Sequence, residues 1–309
     1  MFIITGVRGS GKTVLMTEVS KKIARQKDWI TIELNPERDM LTGLAAKLYS
    51  EQNLAELFRD AKINLSFFGF GLEIGGTEPI TDIEIALSRM LSCLKKQGKR
   101  VLITIDEVSS TKEMKIFASA FQILIRQDLP VFLLMTGLYE NINTLQNEKN
   151  LTFLYRAPKI ELGPLNIGTI AENYRNNLSL DEPGALSAAK LTKGYSFAFQ
   201  VLGHFAWENR GINDVVRSSY KQYLEDYVYE KIWAELSVKD REVAYAIAMT
   251  ESGKILEIRN RLGMETNQIN PYRKRLIRRG IVSGDTYGYL FFTLPLFETF
   301  VKEVYPETM

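Results

Sequence analysis

The sequence predicts an α/β protein with a parallel β-sheet core, a helical lid and a C-terminal winged helix. A glycine-rich loop stands between a short apolar strand and an amphipathic helix within residues 1–26. Another apolar strand ends in two consecutive acids, and residues 238–297 have the pattern of three helices and a hairpin. Strands that alternate with helices are typical of a parallel sheet, because a helix returns the chain to the same edge before each new strand.

The composition is that of an ordinary globular protein, with 45% hydrophobic and 25% charged residues among 309. That length is enough for two or three domains. The net charge of +2 implies that any nucleic-acid surface is local. One cysteine and one histidine exclude an internal disulfide framework and a Cys/His metal cluster. The sequence has no run of 18 apolar residues and no signal peptide, so we expect a cytoplasmic protein that does not insert into a membrane.

The stretch "GVRGSGKT", residues 6–13, has the pattern G-x-x-x-x-G-K-[ST] of a P-loop. A strand at 1–5 precedes it and helical spacing at 13–26 follows it, which is the order that the motif requires. Glycines allow the backbone to wrap closely around a phosphate, and the amides of the loop and the next helical turn can point at the anion. The predicted nucleotide-binding residues of this stretch are Gly6, Gly9, Ser10, Gly11, Lys12 and Thr13.

The motif predicts a role for each of the residues that would meet the phosphates. Lys12 is expected to reach the β- and γ-phosphates, and the Thr13 hydroxyl is expected to bind Mg²⁺. The apolar strand at 101–105 ends at Asp106 and Glu107, on the edge where ligands bind in open α/β sheets. Asp106 is predicted to hold Mg²⁺ together with Thr13, and Glu107 is predicted to orient the attacking water.

A third strand, within residues 129–141, ends at Thr136. We expect Thr136 to lie between the ends of the strands that carry the P-loop and Asp106. A hydroxyl there could hold the water or sense the γ-phosphate, and the alternative is a threonine that simply ends a strand. Residues 29–34 predict a further strand, and the stretch 63–80, rich in glycine and phenylalanine, predicts an inserted hairpin.

The C-terminal pattern predicts a winged helix. Helices are expected at 238–249 and 255–264, and a third is expected to begin near Asn270, because Pro271 suits a first helical turn. Gly280 would end this third helix before the hairpin. Its cations are Arg273, Lys274, Arg275, Arg278 and Arg279. They could neutralise DNA phosphates, or they could form the solvated face of a unit that packs on proteins.

The stretches "TGVRGSGKTVLM" (5–16) and "ITIDEV" (103–108) resemble the AAA+ and STAND branch of P-loop ATPases. They are most similar to small prokaryotic ATPases related to the origin-recognition initiators, a group that carries a winged helix in this place. "LYRAPKIELGPLN" (154–166) resembles the segment that leaves the core in that group. "LTKGYSFAFQVLGHFAW" (191–207) is similar to the lid of STAND ATPases, with Ser196 where a proline is expected.

The pattern and the resemblance together predict three domains: an ATPase core at 1–160, a helical lid at 161–236 and a winged helix at 237–309. The resemblance implies a molecular switch that binds ATP with Mg²⁺, hydrolyses it and associates with DNA. The alternative is a STAND-like regulatory ATPase whose winged helix binds a protein or inhibits its own chain. The group also holds adenine against a segment that precedes the first strand, and here Met1 falls at that strand. We therefore expect weak affinity and poor discrimination between ATP and GTP.

Arg156 lies on the segment that leaves the core, where an arginine could reach the γ-phosphate of a neighbouring copy. Catalysis would then require a head-to-tail homo-oligomer. The alternative is an arginine that is paired on the surface of its own chain.

Overall fold

The computed structural model describes residues 1–51, 54–70, 77–178 and 180–307. Contacts group the chain into two compact units. The first contains Met1–Thr5 and Lys12–Glu161, and the second contains Gly6–Gly11 and the residues from Leu162 onward. The glycine-rich loop therefore belongs to the second unit by its contacts, although the chain runs from it directly into the first helix of the first unit.

The first unit is built on a five-stranded sheet in which every neighbouring pair of strands is parallel. Its strands are β1 (Phe2–Thr5), β2 (Trp29–Leu34), β3 (Arg100–Ile105), β4 (Val131–Gly137) and β5 (Lys159–Glu161). Their order across the sheet is β2-β3-β4-β1-β5. Because β4 lies between β3 and β1, Thr136 stands between the ends of those two strands, as the sequence predicts.

The helices of the first unit cover a sheet face that is almost fully buried. These helices are α1 (Lys12–Ala24), α2 (Met40–Ser50), α3 (Leu54–Asp60), α4 (Ile83–Lys96), α5 (Lys112–Arg126) and α6 (Tyr139–Gln146). Ile103, Leu133 and Met135 are at most 1% exposed and share one hydrophobic cluster with residues of α2 to α6, whereas α1 contributes no residue to that cluster. Burial of each such side chain stabilises the fold by about 1.5–3 kcal/mol as an upper estimate, and it fixes the strand ends where polar residues follow.

The hairpin predicted at 63–80 is wrong for the residues that the structure describes there. Ser66–Phe68 form a 3₁₀ turn instead of a strand. The buried side chain of Asn64 accepts hydrogen bonds from the amide and the hydroxyl of Ser66, and donates to the carbonyl of Thr77. An asparagine that bonds the backbone two residues ahead favours a turn over a strand. Residues 71–76 of the predicted hairpin lie outside the described residues.

The second unit is helical, with one small antiparallel pair of strands near its end. Its helices are α7 (Ile167–Leu178), α8 (Glu182–Leu191), α9 (Ser196–Glu208), α10 (Asp214–Leu224), α11 (Glu230–Ala234), α12 (Val238–Ala248), α13 (Ile255–Leu262), α14 (Thr266–Arg278) and α15 (Phe297–Glu307). The paired strands are β6 (Val282–Ser283) and β7 (Phe291–Phe292). A π-helical turn at Glu225–Tyr229 joins α10 to α11. None of the described helices is long and apolar enough to span a membrane.

The C-terminal segment has the predicted order of three helices followed by two paired strands. Its interpretation as a winged helix, and the boundary with a lid at residue 236, stay predictions. The predicted start of α14 near Asn270 is wrong. The helix begins at Thr266 because Glu265 and Gln268 form a capping box, in which the Gln268 side chain accepts a bond from the Glu265 amide at 2.7 Å. Pro271 consequently lies inside the helix.

Candidate functional site

The glycine loop, Gly6–Gly11, has a backbone that glycine adopts more easily than any other residue. The φ angles of Gly9 and Gly11 are 75° and 91°. Space is also short, because a Cβ atom built on Gly9 would lie 2.3 Å from the Tyr195 hydroxyl and 3.0 Å from the Cβ of Phe197. Glycine at position 9 is therefore required by the backbone conformation and by the neighbouring side chains.

Two consecutive carbonyl groups of the glycine loop are held by donors at the start of α9. The carbonyl oxygen of Arg8 accepts a hydrogen bond from the Tyr195 hydroxyl at 2.6 Å, and that of Gly9 accepts one from the amide of Phe197 at 3.1 Å. Burial raises the pKa of Tyr195, so the hydroxyl keeps the proton that it donates. Carbonyl oxygens would repel a phosphate. The two hydrogen bonds pair the carbonyl oxygens of Arg8 and Gly9 with donors of this chain, which reduces that repulsion.

Two polar side-chain atoms of the glycine loop, Ser10 Oγ and Arg8 Nε, are buried without a hydrogen-bond partner among the described residues. Buried polar groups are seldom left in that state. Unsatisfied donors in a glycine-rich loop that directly precedes a helix suit an oxyanion, and the glycine loop therefore fits a phosphate group.

In the first unit, the carboxylate of Asp106 joins residues from three elements. The Thr13 hydroxyl at the start of α1 donates to Asp106 Oδ2 at 2.7 Å, and the Thr136 hydroxyl at the end of β4 donates to Oδ1. The amide of Glu107 donates to Asp106 Oδ1 at 3.0 Å and to the Thr136 hydroxyl at 3.2 Å. The structure thus brings together four of the residues that the sequence selects.

The donor set of this cluster suits Mg²⁺, which prefers carboxylate and hydroxyl oxygens. Asp106 and Thr13 are the residues that would hold the ion. Among the described residues, no group of three or more His, Cys, Asp or Glu side chains could bind a metal. A site with one carboxylate and one hydroxyl is typical of Mg²⁺ that is bound together with substrate phosphates, rather than by a protein cage.

Glu107 adopts a conformation that is uncommon for a residue with a side chain. Its φ angle is 51°, and its side chain is exposed at the end of β3. Left-handed backbone of this kind costs about 1–3 kcal/mol at a non-glycine residue and is concentrated at functional sites. The two hydrogen bonds of the Glu107 amide hold this conformation in place.

Arg156 lies apart from this cluster in the hydrogen-bond network. It is exposed and ends the 3₁₀ turn Thr152–Arg156, before the edge strand β5. Among the described residues, no hydrogen bond or ion pair joins it to the Asp106 cluster.

The cations of α14 differ in how they are used. Arg275 Nε donates to Asp240 Oδ1 at 2.9 Å, and the Asp240 side chain is only 2% exposed. The Arg275 guanidinium also lies over the Tyr272 ring, 5.2 Å from its centroid. The hypothesis that Arg275 contacts DNA therefore competes with a structural role that the sequence pattern does not reveal.

The remaining four cations differ in their exposure to solvent. Arg279 Nη1 donates to the carbonyl oxygen of Glu235 at 3.0 Å. Arg273 is partly buried, and its Nε lacks a hydrogen-bond partner among the described residues. Lys274 and Arg278 are exposed and lie four residues apart, on one face of the helix.

Comparison with known proteins identifies the fold. The structure resembles a Walker-type ATPase of Pyrococcus abyssi with a TM-score of 0.64 and 17% identity, over 97% of this chain and 90% of that one. It resembles the ORC2 protein of Aeropyrum pernix, solved as ADPNP–ADP complexes, with a TM-score of 0.62 and 15% identity, over 99% of this chain and 87% of that one. This chain shares the α/β fold of these two structures, with a parallel five-stranded sheet and many helices.

The fold class predicted for the α/β core is confirmed, as is its likeness to the origin-recognition-related ATPases. A family described as a domain of unknown function (DUF8462) matches residues 226–301, which include most of the π-helical turn and all of α14. No curated protein matches the sequence.

The sequence pattern does not reveal the residues of the second unit that hold the glycine loop within that unit. Tyr195 and Phe197 lie in the stretch interpreted as a lid, but no motif marks their contacts with the loop. The signal that could have pointed to them is Gly9, because a residue without a side chain leaves room for a neighbouring group to approach the backbone closely.

We predict that Gly9→Ala lowers the free energy of unfolding by about 1–3 kcal/mol, because a left-handed alanine is strained and its methyl group would clash with Tyr195 and Phe197. Gly263→Ala is the matched control, since Gly263 has a φ of 62° and no atom lies within 4 Å of its built Cβ. Urea unfolding measures both variants. Equal losses would show that the loop has room for a side chain.

We predict that Arg275→Ala lowers the free energy of unfolding by about 2–4 kcal/mol, because the buried Asp240 carboxylate loses its cation. Lys274→Ala, at the exposed neighbouring position, should change it by less than about 0.5 kcal/mol. Thermal and urea unfolding of both variants provide the comparison. If the two variants are equally stable, the Ser237 hydroxyl, which donates to Asp240 at 2.6 Å, is a sufficient partner.

Proposed function

We propose that this chain binds ATP together with Mg²⁺ and hydrolyses the nucleotide, acting as a molecular switch. The observation that carries the proposal is the Asp106 carboxylate, which accepts hydrogen bonds from Thr13 at the start of α1 and from Thr136 at the end of β4. In a P-loop fold these positions serve the magnesium ion and the γ-phosphate. The orphaned donors of the glycine loop support the same conclusion, because they suit an anion.

Each polar residue of the cluster has a role in this proposal. Lys12, the first residue of α1, places an ammonium group on the β- and γ-phosphates. Thr13 and Asp106 hold the metal ion, which supplies positive charge that stabilises the transferring phosphoryl group. Glu107 orients and polarises the attacking water. The Thr136 hydroxyl donates to Asp106 and accepts from the amide of Glu107, and these two bonds position the carboxylates of Asp106 and Glu107.

Arg156 remains a proposed arginine finger that acts on a neighbouring copy. Its exposure at the edge of the first unit supports this role, because a finger must extend beyond its own surface. The corresponding assembly is a head-to-tail homo-oligomer.

We also propose that the C-terminal segment is a winged helix that contacts DNA through α14. Lys274 and Arg278 are exposed on one face of that helix, where they can neutralise phosphates of a duplex. Tyr287 lies between the paired strands β6 and β7 and is 97% exposed, so its ring is also available for contact in the C-terminal segment. Such a protein would be a DNA-associated ATPase.

A second candidate is a STAND-like regulatory ATPase whose winged helix contacts proteins. The observation that favours it is the internal use of Arg275 and Arg279, which bond to Asp240 and to the Glu235 carbonyl. Two of the five cations of this segment therefore bond to other residues of the chain, which leaves fewer of them to contact DNA phosphates.

Hydrolysis is tested by two substitutions with different expected results. Lys12→Ala should abolish ATP binding, because it removes the phosphate cation. Glu107→Gln should retain binding but slow turnover by at least about 10²-fold, since the water loses its carboxylate while the side-chain size is kept. Calorimetry measures binding, and phosphate release measures turnover. Normal turnover by the Glu107→Gln protein would contradict the assignment.

DNA contact is tested by replacing Lys274 and Arg278 with glutamine. The double variant should bind every duplex more weakly, and the slope of log K against log salt should fall by about 2, because two phosphate contacts are lost. Replacing the exposed Lys190 and Arg217 with glutamine removes the same charge elsewhere in the second unit and serves as the control. Equal DNA affinity and salt dependence in both double variants would favour the regulatory candidate.

A further inference from the structure

The glycine loop contacts the rest of the second unit through the side chain of Arg8 as well as through its backbone. Arg8 Nη2 lies 2.6 Å from Glu235 Oε1, and the two side chains are 32% and 39% exposed. The residues are 227 positions apart in the sequence. Arg8 is therefore fixed at two points, since its carbonyl oxygen also accepts the bond from Tyr195.

Glu235 stands at the junction between α11 and α12, and it is bonded in two directions. Its side chain binds Arg8, and its carbonyl oxygen accepts the bond from Arg279 at the end of α14. Its amide donates to the carbonyl of Lys231, which closes α11. The backbone of Glu235 is consequently held by helices on both sides, and its carboxylate is a fixed anchor rather than a freely moving surface group.

The neighbouring residue of the loop meets the same region by packing. Val7 is partly buried against the hydrophobic cluster of the second unit. A Cβ atom built on Gly280, which has a φ of 70°, would lie 3.3 Å from the Cβ of Val7. Val7 and Arg8 therefore fix one end of the glycine loop against residues that follow the ends of α14 and α11.

We propose that Glu235 is a positioning residue for the glycine loop, which it holds through Arg8 in the conformation that receives phosphate. The proposal rests on the proposed function, because it gives the loop a nucleotide to receive. Glu235 itself does not contact the reacting atoms in this role. The Glu235 side chain restricts the loop before the nucleotide arrives, so less conformational entropy is lost on binding. Its removal is therefore expected to change the affinity for nucleotide and the protection of the loop amides from hydrogen exchange.

The first experiment measures hydrogen–deuterium exchange of the loop amides, residues 6–11, in the protein without nucleotide. Glu235→Gln should raise the exchange rate about three- to fivefold, because a partly exposed ion pair contributes modestly. The carbonyl that receives Arg279 is retained in this variant. Glu303→Gln, which breaks the 2.8 Å pair with Lys221 in the same unit, is the control and should leave loop exchange unchanged.

A charge reversal separates the ion pair from a general structural effect. Arg8→Glu combined with Glu235→Arg restores opposite charges at the two positions, and loop exchange should return to within about twofold of the wild-type rate. Arg8→Glu alone should exchange faster, because two like charges then face each other. Failure of the reversal to restore protection would overturn the proposal.

The second measurement is the affinity for ATP by calorimetry, with thermal unfolding of the same samples. Glu235→Gln should bind ATP about three- to fivefold more weakly while its unfolding midpoint changes little. Unchanged loop exchange, or tighter binding of ATP, would overturn the positioning role. If the wild-type protein binds no ATP, the proposed function fails, and loop exchange still decides whether Glu235 positions the loop.

Discussion

The candidate site depends on the hydrogen-bonded carboxylate of Asp106. It receives the hydroxyl of Thr13 from the first turn of α1 and that of Thr136 from the end of β4. These bonds form because the parallel sheet places β4 between β3 and β1, so that polar residues just beyond the buried strands meet at one edge. Any change that shifted one of these strands by a residue would separate the hydroxyl from the carboxylate, since alternate residues face opposite sides of a sheet.

The glycine loop is constrained by a different part of the chain. Its carbonyl groups at Arg8 and Gly9 bond to the start of α9, and the Arg8 side chain bonds to Glu235. A loop with several glycines loses much conformational entropy when it orders, and contacts made before a ligand arrives reduce that cost. Residues of the second unit far along the chain from the glycine loop therefore determine the shape of that loop.

Charge on α14 illustrates why a cationic pattern in a sequence does not define a binding surface. Five cations within seven residues suggest a uniform basic face. The fold assigns Arg275 to the buried carboxylate of Asp240 and Arg279 to a backbone carbonyl, whereas Lys274 and Arg278 remain at the surface. A buried carboxylate without a cation is strongly destabilising. The arginine that pairs with it therefore contributes to the stability of the fold rather than to DNA recognition.

The sequence by itself determined the α/β core, the glycine loop and the acids at the end of β3, because each follows from local requirements: hydrophobic runs for buried strands, glycine for left-handed backbone, and a fixed motif spacing. The ion pair between Arg8 and Glu235 and that between Asp240 and Arg275 were decided by the tertiary structure. Such pairs join residues far apart in the chain, and no local pattern specifies which charges will meet. The start of α14 shows the same limit at shorter range, since the capping box of Glu265 and Gln268 prevailed over the preference of proline for a first turn.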